Sequence, residues 1–333
     1  MKRRALLALL LAAALAPGTW LRSPIRPLDF TQALTLTALR LAPGCCTVGP
    51  LHLTGAWHLT SPHQQFGGYS ALVRPIPGRL LAISDAGYTL DFPEPGLPGA
   101  VKFSSLFPKP GWHKSDRDTE SAQWDPASRR LWVAAEGSNM VLRFDANLTM
   151  QTHVAPPAMH LWPSNTGPEA MARLNDGRFV VLCECRSRWH DRSAYPALLF
   201  AGDPTEHAGP QRFFVTGPWD YRPTDMATLP DGRVLVLQRR LIWPFPMRFG
   251  ARLALLDPRE IRPGAVVPLT DLGEFPAQLP MDNYEGLALE PLGGSRYAAW
   301  VISDDNAAVL QRTLLLAFEF DLRDLPPTQK APG

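Results

Sequence analysis

Acidic side chains recur at a fixed register along this chain of 333 residues. Asp85, Glu136, Glu184 and Asp304 each close a short apolar run, and Glu120, Glu169 and Glu285 each open one. Converging carboxylates are hard oxygen donors, and Ca²⁺ takes about six to eight oxygens in flexible geometry. Crowded carboxylates also repel one another unless a cation or protons neutralise them. Asp85, Glu120, Glu136, Glu285 and Asp304 are therefore the candidate Ca²⁺ ligands. Glu169 and Glu184 are the candidate catalytic carboxylates, because crowding that raises a carboxyl toward neutrality lets it take a proton from water. Asp305, Asp282, Asn283, Asn306 and Asn165 flank the set, and Asn165 is a candidate substrate contact. In one copy the acid is replaced by Arg239, followed by Arg240. A guanidinium matches phosphate or carboxylate in bidentate fashion, which makes this pair candidate holders of an anionic substrate group. The plainer alternative is that each acid binds backbone N–H groups, and that each arginine pairs with an acid of a neighbouring unit.

The elements that must position these residues are visible as a diverged repeat. An arginine opens an apolar run at Arg79, Arg130, Arg178, Arg233 and Arg296, at separations of 51, 48, 55 and 63 residues. Such short, partly β-branched or aromatic runs read as buried strands. A tight turn precedes each, as at Asp176-Gly177 and Asp231-Gly232, and before it lies a second apolar segment beginning near Ser70, Glu120, Glu169, Thr224 or Glu285. Each unit is thus an antiparallel hairpin, whose outer ends lie side by side. That geometry sets Ser70 beside Asp85, Glu120 beside Glu136, Glu169 beside Glu184, Thr224 beside Arg239 and Glu285 beside Asp304. Repeats of roughly 40–60 residues, almost all β, predict a propeller with these ends at one mouth. The expected fold is a single all-β propeller of five or six blades, with Leu314–Leu322 and the N-terminal runs Thr35–Leu41 and Leu51–Leu59 available to close it.

Composition sets the wider frame. Hydrophobic residues make up 45% and charged residues 19%, an ordinary globular balance. Thirty-five prolines and 25 glycines suit short strands joined by turns. Met1-Lys-Arg-Arg followed by the apolar run Ala5–Ala16 reads as a signal peptide, too short for a spanning helix, with Ala14-Leu15-Ala16 as a cleavage motif; Pro17 is a poor residue directly after it, so the alternatives are a cut elsewhere or a segment retained as an anchor. Loss of those three cations turns the formal +2 into −1, and no basic stripe is interleaved with aromatics, so nucleic acid is not an expected partner. The expected protein is exported, periplasmic or secreted, and monomeric. It has a signal peptide at 1–16, a leader and first strand at 17–49, the propeller at 50–324 and a tail at 325–333. Cys45, Cys46, Cys183 and Cys185 suit one or two disulfides rather than zinc. No phosphate-binding G-x-x-x-x-G-K loop and no G-x-S-x-G elbow is present.

Several segments carry a family resemblance. Phe66-Gly-Gly-Tyr-Ser-Ala-Leu, Ile83-Ser-Asp-Ala-Gly, Asn165-Thr-Gly-Pro-Glu-Ala-Met, Asp231–Arg239, Asp282-Asn-Tyr-Glu-Gly-Leu-Ala and Ile302-Ser-Asp-Asp-Asn resemble, in combination and order, the bacterial phytase-like family. The resemblance spans roughly residues 50 to 322. It implies a propeller and a hydrolase of phosphate or carboxyl esters, and supplies no catalytic set of its own. A non-catalytic ligand- or partner-binding envelope propeller and a lactonase-like propeller are the alternatives.

Overall fold

The computed structural model describes Arg4 and residues 22–42, 45–109, 111–186, 194–207, 209–242 and 248–328. Apart from Arg4, the expected signal peptide lies outside the described residues. Strands dominate, interrupted only by short 3₁₀ turns. Among the described residues no helix is long and apolar enough to cross a membrane.

The strands form five sheets, each a blade. Blade 1 is Tyr69–Val73, Arg79–Ser84, Tyr88–Pro93 and Lys102–Ser105. Blade 2 is Thr119–Asp125, Arg130–Ala135, Met140–Phe144 and Met150–Val154. Blade 3 opens on Pro168–Arg173 and Phe179–Cys183, blade 4 on Arg222–Thr228 and Val234–Ile242, and blade 5 on Asn283–Gly293 and Arg296–Asp304. The five first strands touch in ring order, blade 1 against 2, 2 against 3, 3 against 4, 4 against 5, and 5 back against 1. This is a five-blade propeller. All five hairpins expected from the arginine repeat are present. The N-terminal segments build no sixth blade: Leu51–Thr60 pairs antiparallel with Leu314–Asp321, and Thr35–Ala38 pairs with Leu51–Thr60, all in blade 5.

Side chains between blades fill apolar clusters such as Ala71, Ile83, Leu106, Leu131 and Phe144 between blades 1 and 2. Four of the arginines near the start of the second strands meet nearby acids, Arg79 with Asp91 at 2.8 Å, Arg178 with Asp176, Arg233 with Asp231 and Arg296 with Glu319. Largely apolar strand interiors thus stack blade on blade, with buried polar exceptions such as Ser121 and Asp225, while many polar residues collect at the strand ends.

One irregularity repeats five times. Each first strand carries a β-bulge at the same place, and the bulged residues are Ser70, Glu120, Glu169, Thr224 and Glu285. A bulge inserts an extra residue and re-aims its side chain. It also shifts the ladder by one position. Opposite Asp85 stands Gly68, opposite Glu136 Asp118, opposite Glu184 Gly167, opposite Arg239 Arg222 and opposite Asp304 Asn283. The direct pairings expected from simple hairpin counting, Ser70 with Asp85 and its counterparts, are thus off by the bulge.

Candidate functional site

The mouth is assembled from three residues per blade: the bulged residue, the residue two before it, and the end of the second strand. Those are Ser70, Gly68 and Asp85 in blade 1; Glu120, Asp118 and Glu136 in blade 2; and Glu169, Gly167 and Glu184 in blade 3. In blade 4 they are Thr224, Arg222 and Arg239, and in blade 5 Glu285, Asn283 and Asp304. Two groups of carboxylates are tightly drawn together. Asp118, Glu120 and Glu136 place one ligand atom each within 4.8 Å of one another, and so do Glu136, Glu169 and Glu184. Glu136 is common to both.

Glycine permits this crowding. Gly68, at φ +68°, lies where a Cβ would meet the Asp85 Oδ1 at 2.8 Å, a backbone conformation that side-chain-bearing residues rarely adopt. The Gly167 N–H donates to Glu136 Oε1 at 3.1 Å, and a Cβ there would meet Asn139 Oδ1 at 2.5 Å.

Two guanidiniums face the acids. Arg239 donates to Asn283 Oδ1 at 3.0 Å and lies 3.3 Å from both Glu184 Oε1 and Glu285 Oε1. Arg222 reaches Glu184 Oε2 at 3.2 Å, so both Glu184 oxygens have a cationic partner. Asn283 also donates to Glu285 Oε1 at 2.7 Å. Glu184 is further constrained by a disulfide between its neighbours Cys183 and Cys185; the other cysteines pair as Cys45–Cys46.

Negative charge still outweighs positive. Burial, then the carboxylates of Glu285, Glu136, Asp85 and Asp118, hold Glu120 well above the usual carboxylate range. Burial and the carboxylates of Glu120, Glu184 and Glu136 do the same to Glu169, against the pull of Arg239. Asp304 is pushed well up by burial and by Glu285 and Asp85. Asp85 keeps an exposed edge, yet desolvation by the surrounding mouth, with Asp118 beside it, pushes it up to about 6. Burial raises Glu285 as well, with Arg239 and Asn283 opposing. Burial also raises Glu136, which shares a hydrogen bond with the Glu169 carboxyl.

This donor set fits a hard cation. It is all oxygen, and oxygens on opposite sides of a Ca²⁺ ion stand roughly 5 Å apart. A divalent ion would also relieve the repulsion that raises Glu120 and Glu169.

Not every residue singled out from sequence converges here. Arg240 points away from the acids, toward Asp220 at 3.0 Å and Glu274 at 3.1 Å, with its guanidinium over the Tyr221 ring. Asn165 is exposed on the loop before Pro168. Asp282 and Asp305 hold loops: Asp282 accepts from the N–H groups of Asn283 and Arg312, and Asp305 from Gly68, Ala307 and Thr313. Asn306 is exposed and donates its N–H to Asp304 at 2.7 Å.

Residues 64–307 match the family model described as esterase-like activity of phytase. The chain belongs to this phytase-like family. No curated protein matches it. Among solved structures, this phytase-like propeller is similar to a luciferin-regenerating enzyme, at 11% identity and a TM-score of 0.40 over 79% of this chain and 83% of that one. It is also similar to a protein of unknown function from Dyadobacter fermentans, at 10% and 0.43 over 84% and 100%. A third is the β-propeller domain of Cps50 (Swd1) from Myceliophteria thermophila, at 9% and 0.39 over 86% and 99%.

Three residues at or below the mouth of this phytase-like propeller escaped the sequence reading. Asp118 and Arg222 sit two residues before a bulge, in the series Gly68, Asp118, Gly167, Arg222 and Asn283. Only alignment of the five hairpins on their bulges would have exposed them. Asp225, fully buried beneath the mouth, accepts from Leu287 N–H at 2.8 Å, Ser121 Oγ at 2.8 Å and Met226 N–H at 2.9 Å. Ser121 Oγ in turn accepts from Met171 N–H at 3.0 Å. Blades 2 and 4, not neighbours in the ring, are thereby bridged across the axis.

Proposed function

We propose that this phytase-like propeller is an exported hydrolase of small anionic phosphate or carboxyl esters, working at the acidic mouth with Ca²⁺ bound there. The observation that supports this most is the pair of carboxylate triads sharing Glu136, with Arg239 and Arg222 beside them. One surface then offers hard-cation donors, a general base and cationic anchors. Asp118, Glu120 and Glu136 would hold the ion, with Glu285, Asp304 and Asp85 as further donors around it. Bound Ca²⁺ supplies a Lewis acid that polarises the ester oxygen and offsets charge developing on it.

The chain's own residues supply the rest. Arg222, the more exposed of the two guanidiniums, meets the substrate's anionic group from the solvent side, and Arg239 holds the same group from below. Glu169 takes the proton of the attacking water at a carboxylate oxygen, because its raised affinity for a proton suits a base working near neutrality. Glu184, with both oxygens on arginines, keeps those guanidiniums in place. The Asp225–Ser121 bridge crosses the axis below the mouth. Export follows from the basic start and the Ala5–Ala16 run, with periplasmic or secreted, monomeric protein as the product. Pairing of Leu51–Thr60 with Leu314–Asp321 would lock the ring.

Turnover of nitrophenyl phosphate and nitrophenyl acetate, with Ca²⁺ and after EDTA, tests the reading. Turnover of one ester should require Ca²⁺, and Glu169→Gln should lower kcat by about 100-fold or more. Glu184→Gln should act mainly on KM. No turnover above background on either ester, or full activity in Glu169→Gln, would leave the ligand-binding propeller as the better account.

A further inference from the structure

The mouth face differs from the rest of the surface in a second respect. Leu161, Trp219, Leu241, Val309 and Leu310 are large, exposed apolar side chains, and all lie on loops or strand extensions around the mouth. Leu161 keeps 89% of its surface, Trp219 68% and Leu310 64%. At the opposite end the exposed apolar residues are fewer: Ile76 and Leu97 on adjoining connections of blade 1, and Leu292 at the turn of blade 5. Scattered single residues need no explanation, whereas a rim of them on one face marks an interaction site.

Charge and connectivity say what that face meets. Arg22, Arg26, Lys109, Lys114 and Arg312 are exposed around the same rim, and the Arg186 guanidinium stacks on the Trp219 ring at 5.7 Å. Glu136, Glu169, Glu184 and Glu285 lie buried below, beside Arg239 and Arg222, while Asp118 and Glu120 are half-buried and Asp85 is exposed. The chain also enters the fold here: Arg22 pairs with Ala308, and Ser23 N–H donates to Ala307 at 2.7 Å, immediately before Val309 and Leu310. The apolar run Ala5–Ala16 ends six residues earlier, and six extended residues span at most about 20 Å. While that run is held in a bilayer, the mouth face is the part of the propeller within its reach.

We propose that the mouth face is a lipid-docking surface. Leu161, Trp219 and Leu310 enter the interfacial layer of an anionic bilayer, and the rim arginines and lysines lie on its headgroups. Tryptophan settles at headgroup level, and basic residues are drawn to anionic lipid, so the two residue classes suit one surface. The acidic mouth then opens toward the lipid. The proposal stands on the rim alone and does not depend on hydrolysis.

Co-sedimentation of the exported protein with vesicles of equal parts phosphatidylcholine and phosphatidylglycerol tests it. Wild type and the opposite-face variant Ile76→Ser/Leu97→Ser should pellet alike. Leu161→Ser/Trp219→Ser/Leu310→Ser should bind more than about tenfold more weakly. Arg22→Glu/Lys114→Glu, which leaves the apolar rim intact, should lose the preference for phosphatidylglycerol over pure phosphatidylcholine. Wild type remaining in the supernatant overturns the proposal. So does a rim variant that pellets like wild type, or a charge variant that keeps the full preference.

Discussion

The five innermost strands begin at one mouth and finish at the other, and the two ends behave as opposites. At the start every strand is bulged, and the bulged or facing residue is polar in all five blades. At the finish the same strands line an open cavity of about 420 Å³ whose walls mix apolar residues such as Leu72, Trp124, Leu287 and Leu289 with Arg74, Asp125, Arg173 and Asn175. The charges there are matched: Arg74 binds Glu94 at 2.6 Å and Glu290 at 2.8 Å, and Arg173 lies 3.4 Å from Asp125. At the acidic end the carboxylates outnumber their partners. The fold is common to both ends, so the chemistry comes from which residues occupy the bulges and from the absence of enough cations to balance them.

The largest effect should come from breaking the divide between the ends. Asp225 is fully buried, its carboxyl held well above the usual range by burial against three donors. Asp225→Ala leaves Leu287 N–H, Met226 N–H and the Ser121 hydroxyl unpaired, at roughly 1–3 kcal/mol for each lost partner. A fall in melting temperature on the order of 10 °C is expected. Asp225→Asn keeps one acceptor oxygen and should lie between. Calorimetry showing Asp225→Ala as stable as wild type would mean the axial bridge does not hold the two ends apart.

The next effect sharpens the contrast through pH. Asp85 and Asp282 are pushed up to about 6, mainly by burial, and burial with neighbouring carboxylates also raises Glu120, Glu169 and Asp304 well above the usual range. A raised carboxyl binds its proton more tightly in the folded chain. It therefore favours folding below about pH 4, and that contribution is lost as pH rises through the folded value. At the opposite end Asp125 runs the other way: donors from Ser128 and Ala127 outweigh burial and hold it low, so its contribution is lost as pH falls. In EDTA, melting temperature should decline from about pH 4 to pH 7, and Ca²⁺ should add stability that grows over that interval. A flat profile in EDTA with no Ca²⁺ increment at pH 7 would remove the mouth's special status.

Much of the fold could be read before the structure because its signals are local. Arginine, apolar run and turn repeat within each hairpin, and each of the five emerged as a pair of strands. The blade count was open at five or six because Thr35–Ala38 and Leu51–Thr60 carry strand character without saying which sheet they join. Thr35–Ala38 joins Leu51–Thr60, and the strand that anchors both, Leu314–Asp321, lies some 250 residues from Leu51–Thr60. The mouth was legible as a class of residue and not as a register. A bulge is a backbone event with no residue signature here, since serine, threonine and glutamate all occupy it. Counting across the turn therefore paired Glu120 with Glu136 and passed over Asp118. Asp225 was missed because, next to Thr224 in a buried strand, its side chain lies on the axis, where only the assembled ring supplies its donors.

The smallest expected effect is the most discriminating within one strand. Arg239 and Arg240 are neighbours, read from sequence as a pair, but successive residues of a strand point to opposite sides. Arg239 faces the carboxylates, where Glu285, Glu184, Glu169 and Glu120 stabilise its charge against burial. Arg240 lies about a third exposed, and its partners Asp220 and Glu274 are likewise open to solvent. Such pairs contribute about 0–1 kcal/mol. Arg240→Gln should therefore shift the melting temperature by no more than about 2 °C and leave Ca²⁺-dependent stabilisation unchanged. Arg239→Gln leaves Glu285 and Glu184 facing the remaining acids with one guanidinium fewer, and a buried charge without its partner is costly. Its metal-free melting temperature should fall further than that of Arg240→Gln, and the gap should widen as pH rises and more carboxyls ionise. Equal melting shifts in the two variants at pH 7 would show that the side of the strand does not matter, and the distinction between the mouth and its surroundings would fail at its closest boundary.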